Sequence, residues 1–348
     1  MTNRRLNVGV IGVGLQGESH VNNYASFANA KLVAVADLKE ERVKEIAKKY
    51  NVPHAFTDYR DLLALKEVEA VSIVLPDHLH LAPGVAAARA GKHILMEKPL
   101  ATSVADGEKI AAAVRKAGVR FMINFSNRWW PQMRLAKSRF DAGDLGEPVY
   151  AYARLNNTIY VPTGMLRGWS KHTQLPYWLM SHTIDRVRWL WGSNPARVYA
   201  VLRRGYLEQL GFDTPDAYHA TIEFENGAIA AFESVWVLPE TLPYMVDSQM
   251  ELIFTNASVI INTSVSGTEM ATTDEKFSYP RMASQSYTGR PQGFVTDALQ
   301  HFVDCILADR DPEPTLDDAL AVLKTTAAVV ESAEKRQPID LKLKTKGR

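Results

Sequence analysis

The chain has 348 residues, 46% hydrophobic and 23% charged, the profile of a soluble globular protein of about two domains at roughly 150 residues each. Lys and Arg total 40 against 39 Asp and Glu, so no basic excess points to nucleic acid or an anionic membrane. Cys305 is the only cysteine, which excludes an internal disulfide and any multi-cysteine metal site and fits a reducing cytoplasm.

A first strand is expected at Leu6-Asn7-Val8-Gly9-Val10-Ile11, within a few residues of Met1. It leaves no room for the apolar run and cleavage site of a secretory signal, and no stretch reaches the roughly 18 apolar residues of a membrane span. A cytoplasmic protein with no membrane partner is the expectation. Gly12-Val13-Gly14-Leu15-Gln16-Gly17 follows that strand and opens a helical stretch, the context that G-x-G-x-x-G needs to bind a dinucleotide. Gly12 permits the tight turn, Gly14 lets the backbone approach a pyrophosphate, and Gly17 lets helix and strand pack closely. Backbone amides at the helix start then hold the phosphates.

The second run, Lys31 to Ala36, ends at Asp37, about twenty residues on, where an acid can accept both ribose hydroxyls of NAD and repel the 2′-phosphate of NADP. Capping of the helix near Lys39 is the other reading of Asp37, and Lys39 leaves some NADP tolerance open. Further apolar runs at Ala70 to Leu75, His93 to Met96 and Arg120 to Ile123 alternate with helical patterns such as Glu40 to Tyr50 and Ala105 to Ala117. Strands apolar throughout and separated by helices predict a parallel sheet buried on both faces, hence an N-terminal Rossmann domain. The fourth run leads into Glu97-Lys98-Pro99, and a lysine at such a strand end is placed for ligand chemistry. Pro99 restricts the backbone of Lys98 and is open to the cis form.

After about Pro148 the texture becomes β-rich and alternating, as in Tyr218 to Phe224 and Ala228 to Trp236. Glu225-Asn226-Gly227 predicts a hairpin with a type I′ turn. Helices are expected near Trp178 to Trp191, Phe294 to Leu307 and Leu316 to Lys335. This half reads as an α/β domain with a large, mainly antiparallel open sheet. The division is placed as residues 1–124, an NAD-binding Rossmann domain, and 125–348, a substrate-binding and oligomerisation domain.

With these features in order, the chain resembles the Gfo/Idh/MocA family (glucose-fructose oxidoreductase, inositol dehydrogenase and rhizopine catabolism) over nearly its whole length. The resemblance rests on Gly12, Gly14 and Gly17, on Leu75-Pro76-Asp77-His78-Leu79-His80, on Glu97-Lys98-Pro99, on Ser181-His182-Thr183-Ile184-Asp185, and on the run from Phe294 through His301-Phe302 to Pro338. It implies an NAD-dependent oxidoreductase acting at a secondary alcohol or ketone of a cyclic polyol, sugar or glycoside, with Lys98 and His182 as the catalytic pair. Imidazole titrates near neutrality and suits a base, and Lys98 can stabilise developing alkoxide charge. The cofactor side then comprises Gly12, Gly14, Leu15, Gln16, Gly17, Asp37, Leu75, Pro76, His80, Glu97, Lys98, Asn124 and Arg128. An ion pair is the alternative for Arg128, and helix capping for His80.

On the substrate side, the polar and aromatic stretch from Asn156 to His172 reads as a functional loop and offers Asn156, Arg167, Trp169 and His172. Asp185, one turn after His182, either orients the imidazole, touches substrate, or pairs with Arg186 or Arg188. The family pattern around the histidine, D-x-G-x-H-x-x-D, is broken here: Trp178 stands for the first acid and Met180 for the glycine. Trp178 can stack on a pyranose face or serve as a core tryptophan. Lys98 and His182 then handle the proton alone, or turnover has been lost. A non-catalytic NAD-responsive regulator and an NAD-assisted glycosidase are therefore the rival readings. No metal is required, and a homodimer or homotetramer would cover the open sheet.

Overall fold

In the computed structural model, which describes residues 4–265, 283–286 and 289–341, the N-terminal alternation folds as six parallel strands. They are β1 (Leu6–Ile11), β2 (Ala30–Ala36), β3 (His54–Phe56), β4 (Ala70–Ile73), β5 (His93–Met96) and β6 (Phe121–Ile123), in the order β3-β2-β1-β4-β5-β6. Every pairing among them is parallel. The crossover helices are α1 (Leu15–Ser26), α2 (Glu40–Tyr50), α3 (Tyr59–Ala64), α4 (Leu81–Arg89) and α5 (Val104–Ala117).

Burial on both faces explains the unbroken apolar runs. Val8, Val10, Val33, Val35, Val71 and Ile73 are fully buried, each contributing about 1.5–3 kcal/mol relative to exposure. The helices carry local start and stop signals. Ser103 accepts from the Asp106 amide at the start of α5, and Gly118 closes it at φ 65°. In α2, Glu40 and Glu41 open and Lys48 and Lys49 close the helix, opposing its dipole, while Val43 and Ile46 are its buried face. The strand order reverses between β1 and β4, and such a reversal leaves a crevice at the carboxyl ends of the two strands.

The second sheet draws on α6 (Pro131–Asp141), β7 (Pro148–Asn157), α7 (Ser181–Trp191), β8 (Pro195–Arg203), α8 (Tyr206–Gln209), β9 (Ala217–Phe224), β10 (Ile229–Val235), β11 (Val246–Phe254) and β12 (Ser258–Asn262). Two short strands, β13 (Gln285–Ser286) and β14 (Pro291–Gln292), precede α9 (Phe294–Leu307) and α10 (Leu316–Lys335). A last strand, β15 (Ile339–Asp340), completes a seven-stranded sheet ordered β12-β11-β7-β10-β9-β8-β15. Only β7 and β10 run parallel; the other pairings are antiparallel. Alternation holds along β9: Tyr218, Ala220, Ile222 and Phe224 are buried, and His219, Thr221 and Glu223 face out. The helix α7 packs against β7, and Trp191 meets Phe224 edge to face at 4.9 Å.

The β9–β10 hairpin forms as expected, but its turn is not type I′. Of the three loop residues only Gly227 has positive φ, at 84°. The Gly227 amide donates to the Phe224 carbonyl at 2.9 Å, and the Asn226 Oδ1 accepts from the Ala228 amide at 3.2 Å. This is a three-residue loop, a type I turn followed by glycine in the left-handed region, and it spares Asn226 a positive φ.

The described residues of Met1–Trp129 and Ala283–Leu320 make one compact unit, and those of Trp130–Met282 and Ala321–Arg348 the other. The helix α9 thus belongs with the parallel sheet, although it lies within the 125–348 stretch. Asn29 donates to Asp304 on it at 2.7 Å and accepts from Gln300 at 3.0 Å. His301 packs on Trp129 with ring centroids 5.2 Å apart, and the Ile123 amide donates to the Pro314 carbonyl. These long-range ties carry no signature in local sequence.

Candidate active site

The glycine cradle sits at the end of β1, within the parallel-sheet unit. Gly12 has φ 88°, and a Cβ there would lie 2.2 Å from the Val74 carbonyl oxygen. A Cβ on Gly17 would lie 2.0 Å from the Gly12 oxygen, so both positions require glycine for the turn itself. Gly14 is different: a Cβ there meets nothing within 4 Å, and its backbone is extended. The fold itself does not require glycine there, and the space above the start of α1 is open enough for a phosphate to approach. Leu15 and Gln16 are exposed beside it.

Asp37 follows β2. Its Oδ2 accepts from the Val13 amide at 2.9 Å and its Oδ1 from the Lys39 amide at 3.0 Å. The carboxylate is thereby locked against the glycine loop, half-exposed, with lone pairs left for ribose hydroxyls. Arg42 donates to the Val13 carbonyl, Glu18 and Glu45. These residues fit a dinucleotide: an open helix start, two compulsory glycines and an anchored acid.

Lys98 follows β5 in a cis Lys98–Pro99 peptide, half-buried, while Glu97 and Pro99 are buried. Glu97 is the centre of a polar cluster inside the sheet. Its Oε1 lies 3.0 Å from His20 Nε2 and 2.6 Å from Asn124 Nδ2, and its Oε2 accepts from the Lys98 amide at 3.2 Å. Burial pushes the Glu97 carboxyl up, but the hydrogen bond and attraction of His20, the Asn124 amide and the Lys98 charge outweigh it and hold the group below the usual carboxylate range. The other nitrogen of His20 lies 3.0 Å from the Ser72 hydroxyl, which is also 3.0 Å from the Tyr24 hydroxyl. Burial pushes the Tyr24 phenol up, so it stays protonated.

Sequence reasoning picked out Glu97 and Asn124 but missed His20, Tyr24 and Ser72. A signal existed: Ser72 is a polar residue inside the apolar run Ala70 to Ile73, and a strand buried on both faces must find it a partner. His80 is fully buried with Nδ1 2.9 Å from the Pro99 carbonyl and Nε2 3.0 Å from the Leu75 carbonyl. Pro76 precedes the short turn Asp77–Leu79. Arg128 is buried, with Nη1 3.5 Å from Asp318 Oδ2.

The second unit carries the histidine segment. A π-helical turn over Pro176–Met180 runs directly into α7, and such turns recur at functional sites. In α7 every residue from Ser181 to Trp191 is buried except His182 and Trp189, which are half-buried. A partly accessible histidine on an otherwise buried helix is suited to meet a ligand. Asp185 is 1% exposed on the same helix. Trp178 lies in the π-turn, half-buried, and meets Trp169 edge to face at 5.4 Å. Arg167, two residues before Trp169, and His172, three after it, are exposed. Asn156 is instead committed to the sheet: its Nδ2 donates to Glu233 at 2.8 Å and its Oδ1 accepts from the Val235 amide at 2.8 Å.

A Rossmann-type nucleotide-binding unit bearing a Glu-Lys-Pro motif, joined in one chain to a domain with a large mixed sheet, defines an oxidoreductase class. Residues 6–125 match the description "Oxidoreductase family, NAD-binding Rossmann fold", and residues 137–341 match "Oxidoreductase family, C-terminal alpha/beta domain". The chain belongs to the Gfo/Idh/MocA family. It is 29% identical over 340 residues to scyllo-inositol 2-dehydrogenase (NAD(+)) of Bacillus subtilis, covering 96% of each chain. Among solved structures it resembles scyllo-inositol dehydrogenase from Lactobacillus casei with bound NAD(H) and scyllo-inositol, with TM-score 0.82, 22% identity and coverage of 97% and 99%. It also resembles GenD2 from gentamicin A biosynthesis in complex with NAD, with TM-score 0.85, 24% identity and 97% of each chain covered. The two solved structures speak for the fold. Among the described residues no helix is long and apolar enough to cross a membrane.

Proposed function

We propose that the protein is a cytoplasmic NAD-dependent oxidoreductase that acts on a secondary alcohol or ketone of a cyclic polyol, sugar or glycoside. The observation that carries this reading is the family match along both domains together with a Gly12–Gly14–Gly17 cradle closed by Asp37. A nicotinamide held there would supply the hydride acceptor or donor. Lys98 hydrogen-bonds the substrate hydroxyl and stabilises the alkoxide charge that develops there, and His182 takes or returns the proton. Asp37 accepts from the ribose hydroxyls. Preference for NAD over NADP rests on Asp37 and on Arg42, whose guanidinium is engaged by Glu18 and Glu45 rather than offered to a 2′-phosphate.

On the substrate side, Trp178 and Trp169 form an aromatic wall in the same unit as His182, and Arg167, His172 and Asp185 lie on the segments around it. The assembly is a homodimer or homotetramer. Its support is the outward row Ile229, Tyr150 and Ile253, adjacent across β10, β7 and β11 and each 39–43% exposed.

The test is incubation with NAD and a panel of inositols, sugars and aryl glycosides, following the reduced-nicotinamide absorbance and released aglycone. Net reduction with an inositol or sugar is expected. Aglycone release without net reduction indicates an NAD-assisted glycosidase, and NAD binding without either contradicts an enzymatic role.

A further inference from the structure

Lys98 can serve in catalysis only if its backbone is fixed, because its own side chain is long and flexible. Little of that fixing comes from regular structure. The Glu97 amide donates to the Ile73 carbonyl at 3.0 Å, the Lys98 amide turns to the Glu97 carboxylate, and Pro99 has no amide proton. The residues on either side of the lysine are each met by a histidine, both rings fully buried, and Asn124 shares the hold on Glu97 at 2.6 Å.

His20, on α1, reaches Glu97 at 3.0 Å, and the ionised carboxylate can only accept, so Nε2 carries the proton of that bond. The Ser72 hydroxyl meets Nδ1 whether or not that nitrogen also carries a proton, because it both donates and accepts, and Tyr24 lies beside Ser72 in turn. His80, on the turn after β4, spans the Pro99 and Leu75 carbonyls. A neutral ring can donate to one of these carbonyls and an imidazolium to both. The two rings thus grip the residue before Lys98 and the residue after it.

We propose that His20 and His80 are positioning residues that clamp the Glu97-Lys98-Pro99 segment and thereby aim the Lys98 ammonium. Neither ring touches the reacting atoms in this role; each acts through the lysine. The inference rests on the catalytic reading of Lys98 given above, and the experiment separates the two.

Hydrogen-exchange mass spectrometry of the NAD-free protein compares wild type with His20→Ala, His20→Gln, His80→Gln and His80→Asn. Gln places an amide donor near the Nε2 position and Asn one near Nδ1, so His20→Gln keeps the donor to Glu97 and His80→Asn the donor to Pro99. Exchange in peptides covering 97–101 rises about tenfold or more in His20→Ala and His80→Gln, stays near wild type in the two donor-keeping variants, and is unchanged in β1 and β2. A uniform rise across the sheet, or none at 97–101, overturns the clamp.

Kinetics with the fastest polyol of the panel give the second reading. In His80→Gln and His20→Ala, kcat falls about tenfold to hundredfold while the Kd for NAD stays within about threefold. In a Lys98→Met background the same changes cost nothing further, because they act through the lysine. Full additivity in that background overturns the proposal. Lys98→Met with wild-type turnover instead removes the catalytic reading of Lys98 and leaves the exchange result standing. If no polyol is turned over, the exchange pattern alone decides the clamp.

Discussion

At the scale of single residues, the three glycines of the cradle do different work and can be separated by substitution. Gly14→Ala has room for its Cβ and an ordinary backbone, so the protein should keep its melting temperature and lose NAD affinity by about tenfold or more. Gly12→Ala combines positive φ with a backbone clash and should unfold more readily, by about 1–3 kcal/mol. Differential scanning fluorimetry with and without NAD reads both; a Gly14→Ala protein that melts early or binds NAD normally contradicts the assignment. Glu97 makes a pH prediction. Its carboxyl is held below the usual range, so its stabilising contribution is present above the unfolded-state value of about 4.3 and is lost as pH falls through the lower folded value. The stability gap between wild type and Glu97→Gln in urea unfolding should be constant at neutral pH and shrink on acidification. A gap independent of pH contradicts the buried ionised carboxylate.

Among elements, the strands of the parallel sheet were legible because burial on both faces forces near-continuous apolar runs, and β1, β2 and β5 stand where those runs lie. The short pair β3 and α3 was not, since His54-Ala55-Phe56 is too brief to show a period. The helix expected from Trp178 to Trp191 divides into a π-turn and α7, a difference of hydrogen-bond register that side-chain pattern does not encode. The glycine turn and the acid anchored beside it stand where the spacing of Gly12, Gly17 and Asp37 put them. The His20–Glu97 contact was not legible, because it joins residues 77 positions apart. The π-turn also carries Trp178, half-buried beside Trp169. Replacing Trp178 with Ala should raise the KM for the polyol about tenfold or more while NAD affinity holds, as removal of a stacking face would. Equal losses in both would mark it as a core residue.

For the whole molecule, the seven-stranded sheet leaves one face with apolar side chains outward, including Tyr199 at 47% and Ile260 at 76% exposure. Patches of this kind on a folded chain mark association surfaces. Light scattering should give two or four times the 38.8 kDa chain mass, and Ile229→Glu should move it toward 38.8 kDa. A wild-type monomer contradicts the assembly. The open face was legible in the alternation of β8 to β11, whereas the grouping of α9 with the parallel sheet was not, because it depends on contacts with Asn29 and Trp129 far away in the chain.

Whether Lys98 handles the substrate hydroxyl beside NAD is decided by the turnover of Lys98→Met at saturating NAD and polyol, with the Kd for NAD measured on the same protein. A fall in kcat of about 10²–10⁴-fold with NAD affinity nearly unchanged is expected. Turnover at the wild-type rate would contradict this role of Lys98.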